Sequence, residues 1–188
     1  MDPRVRVASA HHGRNGLRVA VLLILTSLRI ASLPSFATTV KHLELKDIVG
    51  ASDTIVQGRV ESMRSFWQGR QIRTEVRVAV SRALKGPRGD RLTFLQTGGR
   101  VESPVPLEMT VPGAPIFRVG DEAYFFLQPG NRGERYVVGL FQGHVPLRHD
   151  ARGDFVVFGG ARQSPAQFEE AIRRQMAGQK QDTPETLQ

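Results

Sequence analysis

The chain predicts a mainly β fold: a small β-barrel of about six or seven strands, with a short N-terminal helix before it and an amphipathic C-terminal helix after it. Three observations carry this. Over residues 72–81, Ile72, Thr74, Val76, Val78 and Val80 alternate with Arg73, Glu75, Arg77, Ala79 and Ser81, the period of a strand buried on one face. Turn-forming residues recur at short intervals, at Gly69, Gly86-Pro87, Pro129-Gly130 and Arg152-Gly153. The long helical period comes at the end, where Phe168, Ile172 and Met176 fall at i, i+4 and i+8.

A segment of different character precedes these elements. Arg4, Arg6, Arg14 and Arg18 form a basic lead, Val19 to Leu28 is almost unbroken apolar sequence, and Ser35-Phe36-Ala37 puts small residues at the two positions a signal peptidase reads. The pattern predicts a signal peptide over residues 1–37, a mature chain from Thr38, and an exported protein, periplasmic or extracellular. A retained membrane anchor is the competing assignment. Val19 to Leu33 contains Arg29 and falls short of the roughly twenty mostly apolar residues that span a bilayer, so no stable membrane insertion is expected after cleavage.

Removing the leader takes away five of the 26 Lys+Arg and one of the 18 Asp+Glu, so the net charge falls from +8 to +4 (21 against 17) on residues 38–188. That is an ordinary solvated surface, not the clustered basic stripe of a nucleic-acid-binding protein, and no nucleic acid is expected as partner. With no cysteine in the chain, no disulfide constrains the unfolded state. A core must stabilise the domain unaided. About 150 residues bury roughly 68–70% of the surface their unfolded chain exposes, enough for one domain, expected over 38–178. Residues 179–188 read as a disordered tail.

In chain order, Leu45, Ile48 and Val49 predict a turn or two of helix stopped by Gly50. Thr54 to Trp67 reads as a long strand whose apolar parity changes at Ser62-Met63, which implies a bulge or bend, and Gly58 would let another backbone approach closely. Gln68-Gly69-Arg70 turns it into the alternating strand from Ile72. Lys85 to Asp90 reverses the chain into a strand over Arg91 to Thr97. Glycines and prolines break any period over 98–120, a connection long enough to be functional or to pack down on the barrel. Ala123 to Leu127 is apolar on both faces, as in a strand covered from both sides. Tyr136 to Phe141 follows as a strand, and Gly143 to His149 pairs with Asp154 to Phe158 across an Asp150-to-Gly153 turn. Ser164-Pro165-Ala166-Gln167 has the hydroxyl, proline and glutamine of a helix start, and Gly178 is expected to end that helix.

Two short helices around a long bent strand and a meander suggest a small closed or partly open barrel of the oligonucleotide/oligosaccharide-binding (OB) type. Asp47 to Val60, then Val78 to Lys85-Gly86, then Val119-Gly120-Asp121-Glu122 into Phe125-Phe126-Leu127, resemble uncharacterised exported bacterial proteins with the netrin/tissue-inhibitor version of that barrel. The resemblance covers about residues 43–158. Some proteins of that type carry a metallopeptidase domain, which implies an accessory or inhibitory role toward a secreted peptidase. The tissue inhibitors act through an N-terminal cysteine, which this chain lacks, so from them the fold carries over and the cysteine mechanism does not.

No His-Glu-x-x-His, Gly-x-Ser-x-Gly or phosphate-loop motif occurs in the chain. A non-enzyme without cofactor is expected. His42, His144 and His149 would need to converge to hold zinc, yet a spacing of five puts the last two on opposite faces of a regular strand. For partner binding, Arg73 and Arg77 stand on the polar face of their strand beside Glu75, Trp67 sits near a hairpin tip, and Met109 and Phe117 belong to the Pro-rich 98–120 segment. That segment either packs as a lid or presents an apolar patch. The expectation is an exported, non-catalytic module that binds a protein or carbohydrate partner through the 98–120 segment and the adjacent strand face.

Overall fold

The structure is a computed structural model that describes residues 42–181; the expected leader 1–37 and residues 182–188 of the expected tail lie outside the described residues. The domain is mainly β, with one short and one long helix. Helix α1 (Leu45–Ala51) buries Ile48 and Val49 and runs one residue past Gly50. Strands β1 (Thr54–Gln68) and β2 (Gln71–Lys85) form a long ribbon closed by the Gly69-Arg70 turn.

The register of that ribbon shifts three times, the last between Val60 and Ser62, where the apolar parity changes. The shift leaves Glu61 without a partner on β2, which bends the ribbon. Gly58 lies in the same stretch, and a Cβ there would stand 2.4 Å from the Ala79 carbonyl oxygen and 2.5 Å from Val78 Cγ1. Only glycine lets the two strands close up at this point.

Strand β3 (Arg91–Thr97) completes the meander, and β6 (Glu122–Pro129) pairs with the other side of β1. Between them the 98–120 segment, expected to be irregular, carries a hairpin of β4 (Gly99–Val101) and β5 (Leu107–Met109). Strand β7 (Arg135–Val137) pairs with β6 and gives the sheet order β3-β2-β1-β6-β7. The expected strand to Phe141 stops at Val137, because Gly139 (φ +59) and Leu140 (φ +63) turn the chain.

Strand β8 (His144–Pro146) also pairs with β6, so the strand expected to run to His149 is broken at Leu147. Its continuation, β9 (Arg148–Asp150), pairs with β10 (Gly153–Phe158), and β10 turns through Gly159-Gly160 into the unexpected β11 (Ala161–Gln163).

Helix α2 (Pro165–Gln181) starts as predicted: the Ser164 N–H donates to Gln167 Oε1 at 3.0 Å and the Gln167 N–H to Ser164 Oγ at 3.3 Å. It does not end at Gly178, and residues 179–181, expected in the tail, are its last turn.

Two cores share the sheet. Ala123, Phe125 and Leu127 of β6 join Val56, Val60, Val76, Val78, Phe94 and Phe117 inside the curl of the meander. Tyr124 and Phe126 point the other way, into Ile48, Val49, Ile55, Val156, Phe168 and Ile172. Both faces of β6 are therefore covered. The first core is enclosed by the curled sheet; the second holds the two helices on.

The sheet does not close into a barrel among the described residues. Four antiparallel steps separate β3 from β7, so the two edges run in the same direction. They come within 8 Å of each other, Cα to Cα, with no ladder between them.

Candidate functional site

The seam between β3 and β7 is the open side of the described sheet, and the 111–116 segment lies along it. The Gln96 side chain donates to the Pro115 carbonyl oxygen at 2.7 Å, tying the segment to β3. On one side of it a depression of about 310 Å³ is lined by Leu95, Gln128, Tyr136, Val137 and Leu140. On the other a depression of about 170 Å³ is lined by Met63, Thr74, Met109, Ile116 and Phe117. Gln96, Thr97, Val111, Ala114 and Pro115 line both, so the segment is their common wall.

The rim of this pair is apolar and uncovered. Ile116 is 81% exposed, Leu140 45% and Phe141 48%. Leu140 holds a left-handed φ of +63, which costs a branched side chain on the order of 1 kcal/mol or more. The Val138-to-Gly143 turn is braced by the Gly143 N–H on the Val138 carbonyl and the Phe126 N–H on the Gly143 carbonyl, both at 2.8 Å. The turn thus holds two apolar side chains toward solvent against both local strain and the hydrophobic effect.

The five residues expected to meet a partner do not share one surface. Met109 lines the smaller depression. Trp67, 39% exposed, opposes Ile72 on the inner face of the ribbon near its tip. Arg73 opposes Phe66 on the outer face, one register position away. Its guanidinium donates to Thr97 Oγ1 on β3 and lies 5.6 Å from the centre of the Tyr136 ring on β7. Arg73 therefore clasps the seam where no ladder does. Arg77 is half exposed and lies 3.7 Å from Glu75, an ordinary solvated pair.

Phe117 requires a correction. It is 5% exposed, with its ring 5.4 Å from Phe94, 6.1 Å from Phe125 and 4.8 Å from His144, so it plugs the inner core and is not open to a partner. Its neighbour Ile116 has the exposure expected of Phe117. Leu140 and Phe141, taken in sequence for the end of a strand, were missed as rim residues; the signal was Gly139 ahead of them, which ends β7.

The histidines do not converge. His144 stacks on Phe125 at 5.7 Å, and burial pushes its pKa down to about 4. His149 lies outside, with Nδ1 2.7 Å from Asp154 and Nε2 3.8 Å from Glu122; its bond to Asp154 raises its pKa. Among the described residues no group of three His, Cys, Asp or Glu side chains is placed to hold a metal ion.

The segments that carry the resemblance meet around the start of β1. Lys85 donates to the Val49 carbonyl at 2.9 Å, satisfying a free acceptor at the end of α1. Gly86, at φ +88, lies where a Cβ would stand 2.8 Å from the Asp53 carbonyl oxygen. Leu-Lys-Gly is thus a strand end fitted to a helix end, a structural use.

No known family model matches the chain, and no curated protein matches it.

Proposed function

We propose that the protein is an exported, non-catalytic binding module that grips a protein partner at the paired depressions along the β3–β7 seam. The observation that carries this is the exposure of Leu140 on the depression of about 310 Å³, of Phe141 next to it in the chain, and of Ile116 on the smaller depression of about 170 Å³. Glu108 and Tyr136 are the titratable side chains that line the two depressions, a wall suited to apolar contact rather than proton transfer. The strand order and the parallel edges favour an OB-type barrel left open along this seam, and in such barrels the sheet face and its flanking loops are the usual binding surface.

The test is capture from the envelope fraction of the producing cell, with wild type set against an Ile116→Ser, Leu140→Ser, Phe141→Ser variant. These side chains are exposed, so the variant should fold and lose its partner at least tenfold. A partner kept equally by both proteins would remove the seam as the site. Mass spectrometry of the secreted form reads the leader proposal directly, with Thr38 expected as the first residue.

Two further readings have support of their own. The exposed Trp67 favours a carbohydrate partner, since sugars stack on such rings. The resemblance to barrels that accompany metallopeptidases favours an accessory or inhibitory role toward a secreted peptidase. Inhibition of a peptidase panel by excess protein separates that role from plain adhesion.

A further inference from the structure

We propose that His144 is an acid-sensitive latch on the 111–120 segment, whose protonation drives Phe117 from its aromatic socket and unseats the wall shared by the two depressions. Only the naming of those depressions as the partner's site rests on the function proposed above.

Phe117 is the buried residue of this segment, and its neighbours Ile116 and Arg118 are both exposed. One ring therefore pins the middle of a stretch that is otherwise tied to the sheet by the Gln96 side chain on the Pro115 carbonyl and, at its end, by the Gly120 N–H on the Val60 carbonyl at 2.9 Å. The socket is built from Phe94 on β3, Phe125 on β6 and His144 on β8, with His144 edge-on to Phe117 at 4.8 Å and stacked on Phe125 at 5.7 Å. His144 Nε2 is sealed from solvent and has no hydrogen-bond partner among the described residues. A neutral imidazole tolerates this place as a weakly polar ring. An imidazolium would bring a full charge among phenylalanine rings that offer no hydrogen-bond acceptor and whose π faces offset only part of its lost hydration.

Among the described residues no compensating charge closes the gap. The socket residues from β3, β6 and the segment itself carry no titratable group. The charge acting on His144 is the Asp121 carboxylate, which leads into β6 and already accepts the Arg118 backbone N–H at 2.7 Å. Burial outweighs it and lowers the histidine from 6.5 to about 4. A ring released into water titrates near 6.5, so protons favour the released state as pH falls from 6.5 toward 4. Between pH 8 and pH 5 the released state gains on the seated one by about thirtyfold.

Amide hydrogen exchange of the full-length chain, read by mass spectrometry at pH 7 and pH 5 and corrected for intrinsic rates, tests the latch. Exchange over 111–120 should rise about tenfold or more at pH 5, with β1, β2 and β6 unchanged. His144→Phe keeps an aromatic ring in the socket and cannot take the proton, so its exchange should not respond; His144→Leu serves if that variant folds poorly. An unresponsive wild type, an equal response in the variant, or loosening of β6 together with the segment would each overturn the latch. No partner is needed for this measurement, so its outcome is independent of the capture experiment.

Discussion

His149 and His144 are five positions apart and titrate in opposite senses. His149 is exposed, and the Asp154 carboxylate that binds its Nδ1 raises its pKa. Its contribution to stability is therefore complete below the unfolded value near 6.5 and disappears as pH rises through the folded value. Melting temperatures of wild type and Asp154→Asn, measured from pH 5 to 9, should differ most at the acid end and converge at the alkaline end; a constant gap would show that the ion pair does not stabilise the fold. Their odd spacing predicted opposite faces of one regular strand; instead the break at Leu147 divides them between β8 and β9, which pair with different neighbours. That His144 is held in an aromatic socket was not legible, because the socket comes from residues near 94, 117 and 125, which no local pattern links. Phe117 was misjudged for the same reason: Pro115 and Gly120 around it look like loop, while its burial is decided by strands far along the chain.

At the level of elements, α2 shows how a start can be read and a stop missed. The Ser164–Gln167 cap is local chemistry and therefore visible. Glycine at 178 is only a weak stop, since a helical φ is open to it, and the Gln179 side chain donates to the Lys46 carbonyl at 3.0 Å on α1. The helix is held to the sheet by Phe168, Ile172 and the buried Glu169, whose carboxylate lies 2.7 Å from Arg82 and 3.0 Å from Arg173 and accepts the Tyr124 hydroxyl at 3.1 Å. Both arginines are more than half exposed and can turn to water, so loss of the carboxylate falls chiefly on the buried Tyr124 hydroxyl. Glu169→Ala should cost about 2 kcal/mol in denaturant unfolding, and Glu169→Gln, which keeps an acceptor, about half that. An equal cost for the two would point to the charge rather than the hydroxyl. The β4–β5 hairpin and β11 escaped sequence reading because three-residue strands among glycines and prolines carry no period to detect.

For the whole molecule, the covered sheet was legible, as was a choice between a closed and a partly open barrel, but not that the β3 and β7 edges are the ones left unpaired. Apolar residues on both faces of 123–127 announce two cores, whereas closure depends on how far the bulged ribbon curls, a sum of small bends that no residue states alone. Arg73 spans the resulting gap from Thr97 to Tyr136. Its replacement by alanine should cost roughly 1 kcal/mol and quicken amide exchange in β7 while leaving β1 and β2 protected. Unchanged β7 exchange would mean that the 111–116 segment alone holds the edges together. The sharing of β6 between two interiors has one more outcome. Lengthening or shortening this strand by a single residue would send Tyr124 and Phe126 into the curl and Phe125 toward the helices, scrambling both compartments at once. Insertions and deletions can be absorbed at the Gly69-Arg70 tip, but the middle of the sheet has to keep its count.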